Sequence, residues 1–288
     1  MKRRFNANLI FGVGIIASVL LVALLGRFYT PYPPARQEIA SRLSPPTLAH
    51  PLGTDHLGRD TFSRLMEGAG YSLFVTILAV GMGALGGTAL GMIAGAFGPW
   101  IDEFLMRVVD FIMGFPIILL AILVASVFGP GIRNSMIAIA VANIPIFARL
   151  IRGNLLSLKE QDFVVAARAS GAGAGWVLCV HLLPHLFTPL IIQGTVSLGT
   201  AILADAGLSY LGLGVQPPHA SWGRMVYEAR AFLGLDPWLA VFPGVAIALS
   251  ILGFNLLGDG LRDRFDPRVF WPSRRAKSRS KSRSERLG

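Results

Sequence analysis

Long apolar runs separated by polar joints dominate this chain, and the runs set its class. Six stretches read as membrane-spanning helices: approximately Leu9–Phe28, Ser72–Phe97, Asp110–Phe128, Asn134–Ile151, Leu186–Tyr210 and Trp238–Gly258. A helix needs about 20 mostly apolar residues to cross a bilayer core. Backbone polar groups cannot be left unpaired in lipid, so helices are expected; a β-barrel would need short alternating segments, and none occurs. The expected fold class is all-α, a polytopic bundle of about six transmembrane helices. Inside the second run Gly83, Gly87, Gly91 and Gly95 recur every four residues. That spacing lines one helix face and predicts close approach of another helix backbone. Pro116, Pro145, Pro189 and Pro243 fall in or at the ends of spans, where neighbouring helices can satisfy the freed carbonyls.

Composition strengthens this picture. Hydrophobic residues make up 53% of the 288 and charged residues 15%, against about a quarter charged in a soluble chain. Net charge is +10, and ten of the 26 Lys and Arg lie beyond Gly258. Placing the N-terminus inside puts eighteen cations in inner segments and eight in outer ones, so both termini are expected to be cytoplasmic. The chain then divides into an inner N-terminus (1–8), a first span (9–28), an outer segment (29–71), a core (72–258) holding an inner loop (152–185), and an inner tail (259–288).

The N-terminus imitates a secretory signal, with Lys2, Arg3 and Arg4 ahead of an apolar run. The run ends in Gly26-Arg27-Phe28-Tyr29 with no small-x-small cleavage site, which predicts an uncleaved anchor. The basic, serine-rich stretch Ser273–Gly288 has almost no apolar residues and reads as a solvated segment drawn to anionic lipid headgroups, not to nucleic acid. One cysteine, Cys179, excludes an internal disulfide.

Several chemistries are missing. No G-x-x-x-x-G-K-[ST] stretch is present, so the chain carries no P-loop, and no G-x-S-x-G, H-E-x-x-H or paired-cysteine motif occurs. No catalytic residue, metal or cofactor is assigned. His50, Asp55, His56 and Asp60 crowd together, but their spacing matches no standard metal site, and Pro51, Gly53 and Gly58 read as turn punctuation. Asp110 is placed at the inner end of the third span and Asp205 within the fifth. An intramembrane acid is a functional candidate, so Asp205 is carried as a possible substrate-path residue beside the reading of a carboxylate satisfied by its neighbours.

The inner loop is the most informative segment. Glu160 and Asp162 suit a helix start, and Gly171 can close a helix in a left-handed cap. Between them Asp162, Phe163, Val164, Val165, Ala166, Ala167, Arg168, Ala169 and Ser170 make a short amphipathic helix with a small-residue face, suited to a groove on a partner. A second short helix is expected from near Trp176 to Pro184.

This segment resembles the E-A-A…G…L-P loop of ABC importer permeases, with Val165-Ala166-Ala167, Gly171 and Leu183-Pro184 in its positions. Val165 stands where the family has glutamate. His50–Leu65 (HPLGTDHLGRDTFSRL) resembles the outer segment of the "C"-type dipeptide, oligopeptide and nickel permeases. The run Gly68-Ala69-Gly70-Tyr71-Ser72-Leu73 lacks the arginine that usually follows there. Gly207–Gly223 (GLSYLGLGVQPPHASWG) and Phe254–Arg268 (FNLLGDGLRDRFDPR) resemble the last third of the same subfamily. The resemblance implies a type I, MetI-like permease in a bacterial inner membrane, its outer segments periplasmic. It also implies partners: a homologous second permease, two ATPase chains holding ATP and magnesium, and a periplasmic binding protein. The loop would then be a coupling helix, and the chain itself not an enzyme. Di- or oligopeptide cargo is expected, with nickel or a nickel chelate as the alternative and a secondary transporter as a more distant one.

Overall fold

In a computed structural model, residues 7–265 are described here. The first cations Lys2, Arg3 and Arg4, the tail Ser273–Gly288 and the end of the Phe254–Arg268 block lie outside them. Ten helices follow in order: α1 (Ala7–Phe28), α2 (Thr61–Ala96), α3 (Pro99–Met113), α4 (Ile117–Phe128), α5 (Ile132–Lys159), α6 (Asp162–Ala169), α7 (Ala174–Trp176), α8 (Leu183–Tyr210), α9 (Trp222–Ala229) and α10 (Trp238–Phe265). No strand occurs among the described residues.

Five helices are long and apolar enough to cross a membrane: α1, α2, α5, the continuous α7–α8 stretch and α10. The chain is thus a multi-pass membrane protein. The expected third span, Asp110–Phe128, is not one straight helix. Instead α3 and α4 meet at a bend of 87°. The cause is local: Pro116 cannot continue the preceding helix and drives the residue before it toward extended backbone. Pro116 itself sits at ψ 136 and starts α4 as its N-cap. Twelve residues make α4 about 18 Å long, short of the roughly 30 Å hydrocarbon core, so α3 and α4 together form one broken, sixth crossing, which brings Gly131 to Leu213 O at the far end. Asp110 therefore belongs to α3, outside any straight span, and pairs with Arg149 of α5. In α3 the side chains of Trp100, Phe104, Val108 and Phe111 stay exposed along one side. Asp102 is bound by Arg152 of α5, 2.6 Å from Nη2 to Oδ2. An apolar stripe beside a charged flank is the pattern of a helix lying along a membrane surface.

The centre of the bundle is the α2–α5 crossing. A Cβ added at Gly83 would meet the Asn143 Cβ at 2.6 Å. At Gly87 it would meet the Ile144 carbonyl at 2.5 Å, and at Gly91 the Ala148 carbonyl at 2.5 Å. The glycine stripe thus does what its spacing implies: it lets α5 lie against α2 nearly backbone to backbone. Val75, Ala79, Ile139, Phe147, Ala201 and Leu208 bury the apolar remainder between α2, α5 and α8. On the outer flank α1 packs against α10, where Gly12 leaves room for the Leu257 backbone, 2.5 Å from its missing Cβ.

Candidate functional site

Two layers, one at each end of the bundle, collect the residues singled out by sequence. At the α6 end, Asp162 opens α6 and Gly171 closes it. Gly171 sits at φ +86, its N–H donates to Arg168 O (3.0 Å), and the Ala172 N–H donates to Ala167 O (3.1 Å). This crossed pair is a Schellman motif, and the positive φ favours glycine. Ser170 Oγ adds a bond to Ala166 O, 3.0 Å.

The helix is seated by one side chain. Val164 is fully buried in a socket of Ile151 and Leu155 from α5, Val177 and Leu182, and Leu186 from α8. Ala167 and Ala172 pack on the rim of that socket. Phe163 stacks on His185 with ring centroids 5.2 Å apart. Ala166, Arg168, Ala169 and Ser170 face outward, as does Val165 at 57% exposure. Ala167 thus packs partly against the permease body, while Ala166 and Ala169 leave a small-residue surface exposed.

The second inner helix also differs from expectation. It does not stop at Pro184: α7 runs through a π-helical stretch, Val177–Leu182, straight into α8. Pro184 follows directly on this stretch, so its missing N–H falls where the π-helical pattern passes into the α-helical one. Leu183 and Pro184 therefore begin the next long helix beside His185. Lys159 donates to the Gly95 carbonyl at the end of α2, so the base of α6 is tied to the central crossing.

At the opposite end, two segments about 160 residues apart in sequence meet. Asp60 caps α2, accepting from the Ser63 N–H at 2.7 Å and pairing with His50 Nδ1 at 2.9 Å. Asp55 Oδ2 accepts from Arg59 Nε (2.6 Å) and Arg64 Nη1 (2.7 Å). Glu228 of α9 accepts from Arg59 (2.7 Å), Arg64 (2.9 Å) and Arg224 (3.0 Å). Arg64 is 2% exposed, so this lattice is a buried ionic clasp between the 53–64 stretch and α9. Ligand atoms of Asp55, His56 and Glu228 come within 4.8 Å of one another. Both carboxylates already hold arginines, and His56 stacks on Phe232, so their chemistry is that of a clasp. Glu228 and Arg64 were not singled out by sequence, because nothing local links them.

The same layer holds the Ser221-Trp222-Gly223 stretch. Ser221 caps α9 by accepting from the Arg224 N–H at 3.2 Å. Trp222 is buried, its Nε1 donating to Leu65 O at 3.1 Å and its backbone N–H to Ser72 Oγ at 3.3 Å. A Cβ at Gly223 would meet Ala206 O at 2.5 Å, so only glycine lets α9 rest on α8. Asp205 lies in α8 just below, buried, with Ser72 as its polar neighbour and neither carboxylate oxygen in a hydrogen bond. It lines neither of the two cavities at this end.

The chain is similar to known proteins in sequence and in fold. Solved structures of an inward-facing methionine ABC transporter superpose with TM-scores of 0.59 and 0.60 at 19% identity, over 69% of this chain and 95% of theirs. The dipeptide transport system permease protein of Alkalihalophilus pseudofirmus is 44% identical over 92% of this chain and 87% of its own length. The glutathione transport system permease protein of Salmonella typhimurium is 46% identical over 93% and 88%. A family model for binding-protein-dependent transport system inner membrane components matches residues 87–271, which include α6 and its socket. An all-helical bundle with this fold, matched over most of its length, belongs to the family of binding-protein-dependent transport system inner membrane components.

Proposed function

We propose that this chain is the transmembrane subunit of an ATP-driven importer of di- or oligopeptides. It pairs with a second, homologous permease, takes force from two ATPase chains and receives cargo from a periplasmic binding protein. It belongs in a bacterial inner membrane, and both of its termini are cytoplasmic, because eighteen of 26 cations then fall inside. ATP and magnesium are held by the partner chains. The observation that supports this reading best is the seating of α6. Val164 holds the helix in a socket shared by α5 and α8, while Val165, Ala166, Arg168, Ala169 and Ser170 stand free for a partner.

A push on α6 from an ATPase would move α5 and α8 together, since both supply socket residues. Lys159 and Arg152 extend the linkage to α2 and α3. Ligand-driven change needs differential contacts in two states, and a rigidly seated helix delivers such a difference to the bundle. Peptide is favoured over nickel because the relatives above carry a dipeptide and glutathione, itself a tripeptide, in their names. Asp205 is a candidate for a step inside the path, supported by its unpaired buried carboxylate.

The test is reconstitution with the co-expressed permease, ATPases and binding protein. Dipeptide and tripeptide uptake that stops on ATP depletion, with the ion gradient held, is the expected result. Uptake that persists without ATP would refute the ATP-driven reading. Nickel uptake without peptide uptake would shift the cargo.

A further inference from the structure

A cavity of about 560 Å³ opens at the α9 end, between the 35–59 stretch and α9. Arg59, Pro218, Arg224, Tyr227, Glu228 and Arg230 line it. That volume suits a small molecule, and the mixture of proline and aromatic surface with a few charges is that of a ligand site. The clasp beneath it does not balance. Arg59, Arg64 and Arg224 share two carboxylates, Asp55 and Glu228. Arg230 adds a further cation with no carboxylate partner among the described residues. Its guanidinium stands 4.0 Å from the centroid of the Tyr227 ring, and that of Arg224 stands 4.8 Å from the same ring. Two arginines are therefore held in place at one aromatic ring on the cavity wall, with uncompensated positive charge. Prepositioned guanidiniums bind carboxylates through parallel, charge-assisted hydrogen bonds.

We propose that this cavity is a receptor for the free carboxylate end of a small peptide, held by Arg230 and Arg224 beside Tyr227. The proposal rests on the peptide reading above and adds to it a contact made by this chain outside the span region. Backbone of the ligand would lie along Pro217–Pro218 and Tyr227. Glu228 and Asp55 stay bound to the clasp and keep its floor rigid.

Arg230 offers a clean test, because it is exposed and outside the clasp. The full complex in lipid nanodiscs, without binding protein, is titrated with trialanine and with trialanine amide, and binding is followed by calorimetry. Trialanine should bind at least about ten-fold more tightly than the amide, since a charge-assisted hydrogen bond is lost. Arg230→Gln should remove that preference, and Arg230→Lys should restore part of it. Equal binding of acid and amide by the wild type overturns the proposal, as does a preference unchanged in Arg230→Gln. A variant that leaves trialanine binding intact but weakens capture of the binding protein also overturns it, and makes the cavity a protein contact. ATP-dependent trialanine uptake by the wild type, measured in parallel with binding protein present, decides the peptide reading separately.

Discussion

Replacing Gly87 with alanine gives the most direct test of the central crossing. The added Cβ would lie 2.5 Å from the Ile144 carbonyl, 2.6 Å from the Phe147 Cβ and 3.0 Å from the Ala148 N–H nitrogen. Ordinary contact is about 3.4–4 Å, so α2 and α5 must part by about 1 Å, and no side-chain rotation can relieve a clash with backbone. Parting of that size also forfeits a quarter to a half of each dispersion well at the Gly83 and Gly91 contacts. Overpacking of this kind costs about 1–3 kcal/mol. Gly81, in the same helix, has nothing within 4 Å of its missing Cβ, so Gly81→Ala keeps only the propensity gain of up to about 1 kcal/mol. The expected gap between the two variants is therefore about 2 kcal/mol. Gly95→Ala should fall between them, because its obstacle is the far end of a side chain, Leu155 Cδ2 at 2.7 Å, and not backbone. Thermal unfolding of the purified complex, followed by fluorescence-detected gel filtration, ranks the three. A Gly87→Ala melting point equal to that of Gly81→Ala would refute the backbone-contact account.

Other expectations concern function and stability. Ala166→Arg should uncouple ATP hydrolysis from uptake, lowering transport with hydrolysis retained; normal uptake would remove α6 from the coupling path. Restoring a carboxylate with Val165→Glu should leave protein levels unchanged, because that position is exposed, and quantitative blotting of membranes checks it. Glu228→Ala should destabilise by about 3–5 kcal/mol, since it strips a partner from the buried Arg64, and a thermal scan reads the loss. Asp205→Asn should melt at the same or a higher temperature than the wild type, because a buried carboxylate with no hydrogen bond gains nothing from its charge. A lower melting point would mean that the carboxylate is paired after all.

Much of the bundle was legible along the chain because lipid imposes a length and a composition on each span. The stripe from Gly83 to Gly95 even named the face of the central crossing, since four-residue spacing is a property of the helix itself. The break at Gly114–Pro116 was harder to read. Hydropathy averages over the bend, and Pro116 could equally have started a straight span. Around α6 the sequence supplied the helix and its Gly171 cap, both local hydrogen-bonding matters. Which face looks outward was decided by the socket: Val164 and Ala167 turn inward because α5 and α8 converge there, and no periodicity over eight residues fixes that.

The ionic clasp marks the limit most clearly. His50, Asp55, His56 and Asp60 drew attention through their crowding, yet Asp55 is organised by Arg64 and by an arginine–glutamate contact to α9. That pairing spans about 160 residues of chain, and it forms only because Gly68, Trp222 and Gly223 let α2, α8 and α9 close on one another. The sequence by itself determined the membrane class, most of the spans, the Gly171 cap of α6 and the small-residue crossing, all of which depend on neighbours within a few turns. Tertiary structure alone decided the inward face of α6 and the ionic clasp, because each depends on which distant surfaces meet and exclude lipid or water between them.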